Sequence, residues 1–181
     1  PADARDIYAL VYEAHVTADL DRQAWARKTA AAIAMGENTA LAAALHEWLI
    51  PSAGSSHEAH VVALTDAARG ARGTRDAFLA DYLLGRYLLN ANVPDASIPW
   101  LERARAATEG GAAADAPAIR AEIHAMLGDA YLRTGRLAES ATSWEAMLEV
   151  PGVSGDIRDR AHDGAARTAW TAGHDAYGHP R

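Results

Sequence analysis

The chain has 181 residues, 50% of them hydrophobic and 23% charged, which allows one sizeable core and excludes a disordered or membrane-embedded class. Its formal charge of −7 opposes binding to the phosphates of nucleic acid. Without cysteine it has no disulfide, thiolate metal site or thiol nucleophile, and no uncharged apolar run approaches the roughly 18 residues of a membrane span.

Alanine makes up roughly a quarter of the chain, prolines fall mostly between apolar runs, and strict alternation is absent, so the expected class is all-α. Residues 3–17 carry Ile7, Leu10, Val11 and Ala14 at helical spacing, and residues 21–35 carry Trp25, Thr29, Ala32 and Ile33. These two helices form a first hairpin, with Gly36 as its C-terminal stop. Thr39 opens a third helix bearing Leu41, Leu45, Trp48 and Leu49, which Pro51 ends. Ser55 and Glu58 spell a capping box for a fourth helix, which carries Val61, Leu64 and Ala68 to Gly70. Thr74 is the expected N-cap of a fifth helix reaching residue 91, and a sixth spans 95–108. A Gly- and Ala-rich insertion at 109–116 precedes Pro117, a first-turn residue of the seventh helix. An eighth helix ends before Pro151, and a ninth spans 156–172.

Residues 121–151, AEIHAMLGDAYLRTGRLAESATSWEAMLEVP, form the most informative stretch. Gly128 and Ser140 are small where two antiparallel helices must touch, Leu127, Tyr131 and Trp144 fill the space around that contact, and Gly135 makes the turn. With His124 and Pro151 in register, the segment resembles a tetratricopeptide repeat (TPR), whose pattern is Trp-x2-Leu-Gly-x2-Tyr, Ala-x3-Phe and Pro within about 34 residues. It departs from that pattern in His124 for Trp, Ser140 for Ala, Trp144 for Phe and a Pro one position early. At an offset of 43 residues a more degenerate unit repeats it, with Leu84, Gly85, Leu89, Ser97 and Glu102 identical to their counterparts. There Asp81, Leu88 and Leu101 stand where Trp, Tyr and Phe are expected. In a reduced third unit Gly173 echoes Gly135, and His162, Ala165, Ala166 and Ala169 take the key slots.

The resemblance thus covers residues 77–151 and, in shrunken form, 156–173. It implies one domain, a right-handed α-solenoid of antiparallel helix hairpins with about nine helices. Residues 1–73 form divergent hairpins, 74–108 and 117–151 are repeats, and 156–181 are a partial repeat or capping helix and tail. The first residue is Pro1 and not Met, as expected of a piece of a longer polypeptide.

In such repeats the first helices line a concave groove. Carried onto this chain, the first unit offers Leu79, Tyr82, Arg86, Leu89 and Asn90, the second Glu122, Ala125, Asp129, Leu132 and Arg133, and the third Arg160, Asp163, Arg167, Trp170 and Thr171. The Lys and Asn of a carboxylate clamp are missing, since Tyr82, Arg86, Ala125 and Asp129 do not supply them. The implied function is a scaffold that binds a protein or peptide, with Arg86, Arg133 and Arg167 contacting an acidic segment. In the competing reading these arginines pair with Glu122, Asp129 and Asp163 in a solvated groove.

Two other function classes stay open: a recruiting or regulatory module of a larger enzyme or regulator, and a small metal-binding helical enzyme. For the latter, His57 and His60 share a helix face but lack the His-Glu-x-x-His spacing, and solvated first-turn residues account for them better. No serine elbow, phosphate loop or dinucleotide fingerprint occurs, so no catalytic residue or cofactor is expected. Of the five tryptophans, Trp25, Trp48, Trp100 and Trp144 are expected to fill gaps between stacked units, and Trp170 to stand uncovered.

Overall fold

The computed structural model describes residues 4–35, 39–69, 74–111, 113 and 116–174, and among them nine α-helices form with no strand. They are α1 (Ala4–Val16), α2 (Leu20–Met35), α3 (Ala40–Leu49), α4 (His57–Ala68), α5 (Arg75–Asn90), α6 (Pro94–Glu109), α7 (Pro117–Arg133), α8 (Leu137–Leu148) and α9 (Gly155–Gly173). None is long and apolar enough to cross a membrane. Gly36, Gly70 and the tail after His174 lie outside the described residues.

Local chemistry sets the helix ends. The Thr39 hydroxyl accepts from the Ala42 amide at 3.0 Å, and the Thr74 hydroxyl from Ala77 at 3.1 Å, each satisfying a first-turn N–H. The cap of α4 is Ser56, which accepts from Ala59 at 3.2 Å, and not Ser55, whose hydroxyl donates to the Ser52 carbonyl. Pro94 and Pro117 occupy first-turn positions, where a missing N–H costs nothing. The chain leaves α5 and α7 through the same left-handed turn. Asn92 (φ 62°) and Gly135 (φ 78°) let Val93 and Arg136 donate back to Leu88 and Tyr131, at 2.9 and 2.8 Å. Gly173 does not repeat this turn: it closes α9 without positive φ.

Each helix packs on the next, and α3, α5, α7 and α9 also meet in succession, forming an inner row. Glycines set the closest approaches. A Cβ on Gly85 would come within 2.6 Å of the Leu101 side chain, and one on Gly128 within 2.5 Å of the Trp144 indole. A Cβ on Gly164 of α9 would press on the opposite side of that ring, so Trp144 lies clamped between α7 and α9. Ser140 reinforces the clamp by donating to the Gly128 carbonyl at 2.8 Å. Thr168 donates to the Gly164 carbonyl at 2.9 Å, and its hydroxyl oxygen lies 2.9 Å from Ser140 Oγ, within hydrogen-bond distance. His162, Ala166 and Ala169 are exposed, because no further described helix covers that face of α9.

The expected inward faces hold for α1 and α3, where Ile7, Leu10, Val11, Ala14, Leu41, Leu45, Trp48 and Leu49 are all buried. On α2 the face is different. Ala26, Ala30, Ala31 and Ala34 are buried, while Ala32 is exposed and Trp25 is 55% exposed. Methyl groups let the α2 backbone approach its neighbours, a contact that a stripe of large residues would prevent. Trp170 is exposed as expected, and Trp100 is half-buried under the Arg103 guanidinium, 4.7 Å from its ring. Asp81, in a slot where an aromatic was expected, is buried and ion-paired with Arg103 at 2.7 Å.

Because Trp144 is held from both sides, a methyl at either glycine has no direction in which to displace it. Gly128→Ala and Gly164→Ala are each expected to lower stability by about 2 kcal/mol or more, at the upper end of overpacking costs. Urea unfolding measures this, and a loss below about 0.5 kcal/mol in both variants contradicts the clamp.

Candidate functional site

The C-terminal part of α5, the middle of α7 and one face of α9 enclose a cleft of about 430 Å³. Leu89, Met126 and Trp144 supply its apolar lining, and Arg86, Arg133, Arg160 and Arg167 its cationic one, against the carboxylates of Glu122 and Asp129. The helical rise places these groups: Arg86, Leu89 and Asn90 share one face of α5, as do Glu122, Met126, Asp129 and Arg133 on α7.

Glu122 organises the site. It is only 5% exposed, and its two oxygens accept separately from Arg86 Nη1, at 3.0 Å, and from Arg160. Arg86 spends its other nitrogen on the His15 carbonyl, 3.0 Å away, at the last turn of α1. This arginine is therefore a strut joining α1, α5 and α7. Arg133 donates to the Leu89 carbonyl at 3.1 Å and lies 3.5 Å from Asp129, and Arg167 lies 3.2 Å from Asp163 and 6.0 Å from the centre of the Trp144 ring. All three acids named in the solvated-groove reading thus have an arginine against them. The pairs differ in kind, because Glu122 is buried while Arg133 and Arg167 are 39% and 50% exposed.

The structure brings Arg86, Leu89, Asn90, Asp129, Arg133 and Arg167 together in this cleft. Tyr82, Leu132 and Trp170 lie outside it. Tyr82 is fully buried, and burial pushes its hydroxyl pKa up. Leu132 is half-buried, and Trp170 stacks on His174 at 4.5 Å. The reason for Tyr82 is α1, which packs on α7, stacks Tyr8 edge-on against Phe78 of α5 and takes the bond from Arg86. Leu79, Tyr82 and Ala125 are buried. Met126 and Trp144 are lining residues that the repeat register does not point to; the indole reaches the cleft because two glycines let it pass.

The histidine rings of α4 lie 6.4 Å apart, edge to face, in different surroundings. His57 packs 5.1 Å from Trp48 and 4.7 Å from Tyr87, while His60 is buried with Nε2 4.0 Å from Glu47. Among the described residues no three His, Cys, Asp or Glu side chains converge as metal ligands.

Compared with known proteins, the chain matches no family model, no curated protein and no solved structure.

Two expectations follow for the electrostatics. Glu122→Ala leaves Arg86 largely buried without its carboxylate and should cost roughly 3 kcal/mol in denaturant unfolding, whereas Asp163→Ala, on the exposed surface, should change little. Burial pushes the His15 imidazole down to about 4, with Arg27 and Arg86 adding to the effect. The unfolded imidazole takes up its proton near pH 6.5, well before the folded one, so this contribution is full above that pH and is lost on acidification toward pH 4. His15→Gln should flatten the fall in unfolding midpoint over that window; a parallel curve for wild type and variant would refute the assignment.

Proposed function

We propose that this chain is a TPR-like interaction module whose open cleft takes an acidic segment of a partner protein. The two central hairpins support the repeat reading. Gly85 against Leu101 and Gly128 against Trp144 are the same contact 43 residues apart, and so are the turns at Asn92 and Gly135. A row of odd-numbered helices with one concave face follows naturally from stacking such hairpins.

The observation that carries the binding proposal is the contrast inside the cleft. Four arginines face two carboxylates there, on a chain whose overall charge is −7. Arg86 is a strut and stays with Glu122. Arg133 pairs with the part-exposed Asp129 while also bonding the Leu89 carbonyl, and Arg167 pairs with the exposed Asp163; solvent-exposed pairs are worth only about 0–1 kcal/mol, so a ligand carboxylate replaces them at little cost. A guanidinium offers a two-pronged bond to such a group, and Leu89, Met126 and Trp144 lie almost wholly buried behind the charged rim. The partner segment is therefore short and carries at least two carboxylates.

Fluorescence anisotropy with a labelled peptide alternating Glu and Leu tests this reading. The double variant Arg133→Glu with Arg167→Glu should weaken binding at least tenfold, and raising salt should weaken the wild type, because exposed charges are screened. Arg69→Glu, on the exposed end of α4, serves as the control. Equal affinity of wild type and double variant would sink the proposal.

A further inference from the structure

A second cleft, of about 350 Å³, lies on a different side of α7, between α6 and α8. Its floor is His124 and Tyr131, its walls include Glu102 and Arg105 of α6 and Ala146 of α8, and Arg136 stands at the mouth. His124 sits in the slot that the repeat pattern gives to Trp. An imidazole is about half the size of an indole, so the space a tryptophan would fill remains open between the two helices.

We propose that this cleft is a binding site for a small aromatic carboxylic acid. The charges in it are not equally engaged. Glu102 accepts the Tyr131 hydroxyl proton, so its charge is already directed to the floor. Arg105 pairs with Glu109 at 2.7 Å and Arg136 with Glu139 at 3.0 Å, both carboxylates being exposed, and Arg136 also lies over the Tyr131 ring. Such pairs exchange readily for a ligand carboxylate. His124 Nδ1 is buried and has no hydrogen-bond partner among the described residues. Leaving a buried nitrogen unmet is costly, and in the Nδ1–H tautomer a ligand oxygen beside it removes that cost. Burial, with Arg105 and Arg120 close by, brings the His124 pKa down to about 4, so an anion beside it would also raise its affinity for a proton.

The body of the ligand is set by the remaining surfaces. The Arg136 guanidinium covers the Tyr131 ring, 4.4 Å from its centroid, and its own outer face, still part-exposed, can take a planar ring. Ala146 presents a methyl group where a flat ring can lie. The volume falls near the lower end of small-ligand pockets, which suits one aromatic ring and a carboxylate.

Benzoate, benzyl alcohol and benzylamine are the probes, titrated against the whole chain by calorimetry at neutral pH and low salt. Benzoate should bind at least tenfold more tightly than either of the others, and Arg105→Gln should cost it about tenfold. His124→Trp should abolish binding by filling the cleft while leaving the thermal midpoint intact or raised. Ala146→Leu closes the same space from α8 and decides the matter if the tryptophan variant does not fold. Arg133→Glu with Arg167→Glu should leave benzoate binding unchanged, which separates this site from the concave one. Benzoate binding no tighter than benzyl alcohol, or binding that survives both filling variants, would overturn the proposal.

Discussion

The clamp on Trp144 is the contact from which the rest of the C-terminal half takes its geometry. One indole stands between two glycines on different helices, and the distance across it sets how closely α7 and α9 can approach α8. Trp144, Ala121, Ala125, Met147, Val150 and Ala161 form a small core of their own around this ring. Because interiors pack at crystal density, a rigid aromatic held on both faces fixes orientation as well as spacing. The result is that the Arg160 and Arg167 side chains of α9 face Glu122 and Asp129 of α7 across a narrow gap.

The same cleft depends on an electrostatic constraint. Burying Glu122 is tolerable only because two arginines neutralise it, and Arg86 in turn ties it to the end of α1. One buried carboxylate thereby couples helices far apart in sequence. It also divides the arginines by burial, since Arg86 is largely enclosed beside Glu122 while Arg133 and Arg167 stand 39% and 50% exposed.

Much of the fold was legible because helix boundaries are decided locally. Thr39, Thr74, Pro94 and Pro117 signal helix starts through single hydrogen bonds or their absence, and each works within a few residues. Where two serines compete, as at Ser55 and Ser56, the choice depends on how the preceding turn aims the hydroxyl, and sequence spelling selected the wrong one. The face of α2 was misread for a related reason. Large residues usually mark the inside, but alanine is apolar enough to bury and small enough to be needed, so the alanine face won and Trp25 faces water.

The sequence by itself determined the all-helical class, the nine segments and the small-against-large contacts of the central hairpins. Each of these rests on interactions within one helix or one hairpin. Only the tertiary structure decided that α1 lies against α5 and α7, which buries Tyr82 and turns Arg86 into a strut, and that Gly164 completes the clamp on Trp144. Those outcomes depend on contacts between segments dozens of residues apart, where many pairings satisfy the same hydrophobic pattern and only the joint packing of all nine helices selects one.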